Sequence, residues 1–209
     1  MKCGNCGKKE GKIFLIYLKK YFCNSCFIKI MRKRINRNIK NYQMFSKNDN
    51  LFFIFDGSAK SVVCFFHVFN LLSSMRNINF YIVPTKNSLR IANEIKRKYG
   101  IVILNKPKKN SKIVLSECLE DTCEKIIKLF VEHDKKVIDD IRPVNKNFVK
   151  PLFNIPMNEL EIYAKLKNYK YMKTKEELKY VKRLEKVEEM RPGLKFSLVN
   201  LFEKMISFQ

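Results

Sequence analysis

Four cysteines open the chain in two pairs, Cys3-x2-Cys6 and Cys23-x2-Cys26, with sixteen residues between the pairs. Each pair lets two thiolates reach one ion from a single turn, and the loop between them can close the set into tetrahedral four-sulfur coordination. Gly4 and Gly7 ease the turn around the first pair. The spacing predicts a closed structural zinc site on Cys3, Cys6, Cys23 and Cys26, with no open position and so no catalysis of its own. A rubredoxin-like iron site and loose thiols are the competing readings. Of the other thiols, Cys64 sits in an apolar stretch and reads as a small buried hydrophobe. Cys118 and Cys123 are five apart, a poor spacing for one helix face. His67 and His133 stand alone, with no ligand spacing around them.

A second constellation is Phe55-Asp56-Gly57-Ser58-Ala59-Lys60-Ser61, between an apolar run and a helical stretch. A phosphate bound there would use backbone N–H groups and the positive end of the following helix. One glycine with two serines is also what an ordinary strand-to-helix turn contains. The third feature is basic. Wound as a helix over 27–44, Ile28, Met31, Ile35, Ile39 and Tyr42 line one face, and Lys29, Arg32, Lys33, Arg37 and Lys40 fall on the other. No acidic residue lies between Gly11 and Asp49. This face predicts contact with RNA or DNA, against the plainer reading of a solvated charged surface.

The elements that must position these residues follow from periodicity. An apolar strand-like run at 13–17 separates the two cysteine pairs, and Ser46-Lys47-Asn48-Asp49-Asn50 is a polar break that ends the first unit. Strands are predicted at 51–55, 79–83, 101–104 and 113–115. Helices between and after them are predicted at 62–72, 89–99 and 119–131. Strands alternating with helices imply right-handed crossovers and a parallel, doubly wound α/β sheet. After Pro151 and Pro156 the pattern turns helical, at 157–168, 175–190 and 198–206. The expected division is 1–47, 48–165 and 166–209.

Forty-three Lys and Arg stand against 20 Asp and Glu, a formal charge of +23. A field of that sign gathers polyanions and makes any nucleic-acid affinity steeply salt-dependent. The longest apolar run, 62–72, is broken by His67 and Asn70 and is too short to cross a bilayer. The first residues, Met1-Lys2-Cys3-Gly4-Asn5-Cys6, carry no apolar signal-peptide core. Seven cysteines in such a chain argue for thiols and metal rather than disulfides, and the cytoplasm is the expected compartment.

The order of these features resembles the PP-loop tRNA sulfurtransferases that thiolate uridine, the two-thiouridine synthetase and cytosolic thiouridylase family. Phe22-Cys23-Asn24-Ser25-Cys26-Phe27 is similar to the end of that family's amino-terminal zinc finger. Lys150-Pro151-Leu152 with Glu159 and Glu161, and Arg191-Pro192-Gly193, match later family elements. Asp56-Gly57-Ser58-Ala59-Lys60-Ser61 stands where the family has Ser-Gly-Gly-Lys-Asp-Ser, keeping only Gly57 and Ser61. Ser116-Glu117-Cys118-Leu119-Glu120-Asp121 stands where the family has Gly-His-Asn-Leu-Asp-Asp. The family's central cysteine pair has no counterpart, because no Cys lies between Tyr99 and Ile113 and none follows Cys123.

The resemblance implies a PP-loop-like parallel sheet behind a four-cysteine zinc knuckle, with a carboxyl-terminal helical segment. It implies a non-catalytic subunit similar to the thiouridylase second subunit, supporting tRNA uridine 2-thiolation beside an active PP-loop paralogue in a hetero-oligomer. Gly57, Ser58, Ser61 and Asp121 would then be a vestigial nucleotide site. One structural zinc is expected, ATP binding is doubtful, and no iron–sulfur cluster is expected. The alternative is an active ATP-dependent tRNA sulfurtransferase in which Gly57, Ser58 and Ser61 cradle pyrophosphate and Asp121 positions the nucleotide. A zinc-dependent nucleic-acid binder unrelated to thiolation explains the charge but not the later matches.

Overall fold

The structure is a computed structural model and describes all residues except 76, 110, 134–136, 174–177 and 208–209. The first 23 residues form a knuckle around a two-stranded antiparallel ribbon, β1 (Ile13–Leu15) and β2 (Lys20–Phe22). The apolar run expected as one strand over 13–17 breaks into a 3-10 turn at Ile16–Leu18, because Lys19 takes a left-handed conformation to reverse the chain. Helix α1 (Asn24–Asn41) begins inside the second cysteine pair, three residues earlier than the periodicity predicts. Its first turn is fixed by the N–H of Phe27 on Cys23 O, a bond that apolar spacing does not reveal.

The large sheet has six strands in the order β5-β4-β3-β6-β8-β7. At its centre, β3 (Asn50–Phe55) pairs in parallel with β4 (Asn79–Pro84) and with β6 (Lys112–Val114). Next to β4 lies β5 (Val102–Ile103), also parallel. Beyond β6 a hairpin of β7 (Val144–Asn145) and β8 (Phe148–Val149) closes the edge. There β8 is parallel to β6 and β7 antiparallel to β8. The run Leu51, Phe52, Phe53 and Phe55 is buried without alternation, as a strand covered on both faces requires. Helices α2 (Ala59–Leu72), α3 (Leu89–Tyr99) and α4 (Leu119–Glu132) make the connections expected of a doubly wound sheet.

The remaining helices are α5 (Val137–Ile141), α6 (Met157–Leu166), α7 (Val181–Met190) and α8 (Leu194–Ser207). The helix expected over 175–190 starts at Val181, and 175–177 lie outside the described residues. One buried cluster runs continuously from Cys3 and Phe22 of the knuckle through Phe27, Met31 and Ile35 of α1 to the sheet, α2 and Tyr163 of α6. A second gathers Leu119 and Cys123 of α4, Ile141 of α5, Val181 of α7, and Val199 and Phe202 of α8. No helix is long and apolar enough to cross a membrane among the described residues.

This order places the site. With β4 on one side of β3 and β6 on the other, the winding reverses at β3. The crevice beyond the carboxyl end of β3 is the topological switch point where ligands of such sheets bind. Asp56–Ser61 lie there.

Candidate functional site

The knuckle brings its four thiols together. The Sγ atoms of Cys3, Cys6, Cys23 and Cys26 all lie within 4.8 Å of one another. A tetrahedral ion with metal–sulfur bonds of about 2.3 Å sets its sulfurs roughly 3.8 Å apart, so the cluster is close to bonding geometry. Gly7 holds φ +64, in the left-handed region that turns the chain under the first pair. Asn5 donates its side-chain amide to Cys26 Sγ at 3.3 Å, and Ser25 Oγ lies 3.3 Å from Cys23 Sγ. Burial works to raise the Cys3 thiol, yet backbone N–H groups of Cys23, Cys6 and Asn5 bring it down to about 6. Thiolates of this kind suit zinc and iron–sulfur clusters alike.

The knuckle is fastened to the body through Arg34. Its Nη1 donates to Tyr17 Oη at 2.8 Å and to Glu159 Oε2 at 2.6 Å, and Nη2 donates to Asn154 O at 3.1 Å. Burial, then the charge of Glu159, pushes the Tyr17 hydroxyl well above its ordinary value. Burial also raises Glu159 against the pull of Arg34. Tyr17 and Phe196 of α8 meet ring to ring at 4.7 Å.

At the switch point the loop has filled itself. Asp56 Oδ1 accepts from Ser58 N at 2.9 Å and from Ser58 Oγ at 2.6 Å, while Ser61 N donates to Ser58 Oγ at 3.4 Å. Burial works to raise Asp56, but Ser58, Ser61 and Lys60 hold it below the usual carboxylate range. A carboxylate of the chain therefore sits at the positive end of α2, on donors that a phosphate would use. Lys60 reaches across and binds both oxygens of Asp121, at 3.1 and 2.9 Å. Both side chains are nearly covered, at 9% and 13% exposure. Asp121 Oδ2 also accepts from Cys118 N at 2.8 Å, capping α4. Gly57, at φ +79, gives its carbonyl to Met172 N at 2.8 Å. A Cβ on Gly57 would meet Met172 Sδ and Ser88 Cβ at 3.1 Å, so the residue must be glycine twice over.

The five residues of the basic face, Lys29, Arg32, Lys33, Arg37 and Lys40, are all exposed on α1. The buried stripe differs slightly from the expected one. Asn38 is inside, bonded to Pro151 O and Asn154, while Ile28 and Tyr42 are half-buried. Cys64 is buried and burial alone pushes its thiol up. Cys118 and Cys123 are buried too, each raised by burial. A groove of about 660 Å3 runs from Phe14 and Tyr17 of the knuckle past Cys118 and Glu120 to Met157, Val181 and Phe196.

Sequence reasoning missed one buried charge network. Lys150, of the Lys-Pro-Leu element, is 1% exposed and binds Glu117 Oε2 at 3.0 Å and Asp140 Oδ1 at 3.5 Å. Lys125 completes it, with Glu117 Oε1 at 2.7 Å and Asp140 Oδ2 at 2.6 Å. The only hint in the sequence is a lysine in an otherwise apolar run between Val149 and Pro151.

No protein-family model matches the chain. A probable sulfurtransferase of Methanocaldococcus jannaschii is 32% identical over 111 residues, 46% of this chain and 32% of that protein. The tRNA(Ile)-lysidine synthase of Persephonella marina is 20% identical over 182 residues, 68% of this chain and 40% of the synthase. The chain thus spans about a third of the first relative and two fifths of the second. Among solved structures, the U34-tRNA thiolase NcsA of Methanococcus maripaludis, described with its [4Fe-4S] cluster, superposes with a TM-score of 0.82. The match covers 99% of this chain and 87% of the thiolase at 17% identity. The chain therefore shares the fold of this thiolase, and part of its sequence is similar to the sulfurtransferase and to the lysidine synthase.

These findings correct one expectation. The cysteine spacing points to zinc in the knuckle, and the family resemblance without its central cysteine pair points away from an iron–sulfur cluster. The structural neighbour carries a [4Fe-4S] cluster, and four clustered thiols are a donor set that such a cluster accepts.

Proposed function

We propose that the chain serves tRNA uridine thiolation as a tRNA-facing, metal-centred PP-loop subunit that does not itself adenylate tRNA. The observation that carries this reading is the filled loop. The Asp56 carboxylate takes the Ser58 donors, and Lys60 neutralises Asp121, the acidic group that would otherwise serve a nucleotide and its magnesium. Chemistry on ATP would then come from a paralogue with an open loop, docked in a hetero-oligomer. The thiol cluster of Cys3, Cys6, Cys23 and Cys26 holds a metal centre that orders the knuckle next to α1. The thiolase neighbour favours a second reading, in which the chain is itself an active sulfurtransferase with a divergent loop.

The two readings part in one assay. Chain, ATP, magnesium and bulk tRNA are incubated, and pyrophosphate release is followed. Release at background is expected. Release that needs both ATP and tRNA and is lost in Gly57→Asp favours the active enzyme.

The tRNA-facing part has its own test. Lys29, Lys33 and Arg37 repeat every four residues and form one exposed row of α1. Each cation that neutralises a phosphate contributes roughly 0.7–0.9 to the salt slope. Alanine at all three positions should weaken tRNA binding at least about tenfold at moderate salt, or 1.4 kcal/mol, and lower the slope by about two to three. The thermal midpoint should hardly move, since exposed substitutions cost within about 0.5 kcal/mol. Unchanged affinity and slope would leave the row a solvated surface.

A further inference from the structure

A second, smaller cavity of about 140 Å3 opens between α1, the last turns of α2 and the carboxyl end of α6. It is lined by Arg32, Asn36, His67, Asn70, Leu71, Tyr163, Lys167 and Tyr169. We propose that it is an oxyanion site that receives one phosphate group of an RNA backbone. The proposal rests on the reading that the exposed face of α1 meets RNA, and it adds the place where one phosphate is seated.

Charge and hydrogen-bonding capacity both point this way. No carboxylate lines the cavity, and its two cations, Arg32 and Lys167, make no ion pair among the described residues. Tyr163 lines the cavity, and its hydroxyl, which makes no hydrogen bond among the described residues, opens into it. Arg32 lies close enough for its charge to pull the Tyr163 hydroxyl down against the burial that raises it.

His67 sits at the floor, 7% exposed, with Nε2 2.7 Å from Asn36 Oδ1. Burial and the charge of Arg32 bring His67 down to about 4, so the ring is neutral near pH 7. Asn36 spends its carbonyl on that ring, and its NH2 group has no partner among the described residues. A guanidinium, an ammonium, a phenol O–H and an amide NH2 are a donor-rich set for a group whose oxygens only accept. The volume holds several waters, enough for a phosphate group.

The experiment uses the full chain with its metal centre. Inorganic phosphate and tRNA are titrated separately at low ionic strength while the Tyr163 and His67 ring resonances are followed by NMR. Asn36→Asp keeps side-chain size and the acceptor for His67 but places a negative charge in the cavity. Asn41→Asp adds the same charge on the same helix outside it. Phosphate should shift both rings in the wild type and in Asn41→Asp, but not in Asn36→Asp. Asn36→Asp should weaken tRNA at least tenfold, against about two- to threefold for Asn41→Asp. Tyr163→Phe, which removes only the hydroxyl, should weaken phosphate binding several-fold. Rings that ignore phosphate, or equal losses of tRNA in the two aspartate variants, overturn the proposal. Phosphate binding without any tRNA binding overturns RNA as the source of the anion. If tRNA binds and only the Lys29, Lys33 and Arg37 row governs it, the general reading of α1 survives and the cavity does not.

Discussion

Replacing Lys150 by methionine should destabilise the protein by about 3–5 kcal/mol, the usual cost of removing one partner from a buried ionic network. Lys150 is 1% exposed and joins Glu117, Asp140 and Lys125 into one cluster that ties β8 to α4 and α5. Without its ammonium, two carboxylates share Lys125 alone, and the backbone carbonyl of Asp140 loses a donor. With a urea m value of about 2 kcal/mol/M, the midpoint should fall by roughly 1.5–2.5 M. Lys150→Arg, which keeps the charge, should lose less. The pH profile carries a second signature. Burial works to raise Asp140, yet Lys125 and Lys150 hold it below its ordinary value. Its contribution is therefore present above the unfolded value near 3.9 and is lost as pH falls below it. That part of the acid destabilisation should shrink in Lys150→Met. A loss under about 0.5 kcal/mol, the range of an exposed position, would show that the network carries no stability.

Cys23→Ser should empty the knuckle. Cys23 is both one of the four clustered thiols and the residue that caps α1, with its carbonyl accepting from Phe27 N. Loss of one thiolate from four should lower metal affinity by at least about 100-fold, more than the 10–100-fold typical of an outer partner. Chelator dialysis that leaves the wild type loaded should strip the variant. Because β1 and β2 are only three residues each, a metal held by the four thiols would add to the hold that Arg34 and the contacts of Phe22 and Leu15 give the ribbon. Amide exchange should therefore rise through residues 1–26 while β3, β4 and β6 keep their protection. Elemental analysis with absorption spectroscopy distinguishes a single ion from an iron–sulfur cluster in the wild type. A variant that keeps its full metal complement would remove Cys23 from the ligand set.

The sequence revealed most where a single element explains itself. The unbroken apolar run over 51–55, short and closed by Asp56-Gly57-Ser58, reads as a strand buried on both faces. The cysteine spacing announced a shared ligand site without any knowledge of the sheet. The hairpin of β7 and β8 escaped because two-residue strands carry no period, and α1 began early because its first turn is fixed by the knuckle. The loop is the instructive case. Asp56 bonding Ser58 two residues on is a local Asx pattern that Asp-Gly-Ser could have suggested. The pairing of Lys60 with Asp121, 61 residues apart, needed the fold. Arg34 was hidden for the same reason: beside five exposed cations of the same helix, nothing local marks it as the sixth, half-buried one that binds Glu159.

The loop at the switch point is already occupied by the chain itself. Calorimetric titration of magnesium ATP into the metal-loaded protein tests it most directly, alongside the triple variant Asp56→Ser, Ser58→Gly and Lys60→Asp. That variant removes the internal carboxylate and frees Asp121 from its lysine. No saturable heat is expected for the wild type up to about 1 mM, a limit of roughly −4.1 kcal/mol, and measurable binding is expected for the variant. Micromolar ATP binding by the wild type, with the variant no tighter, would contradict it.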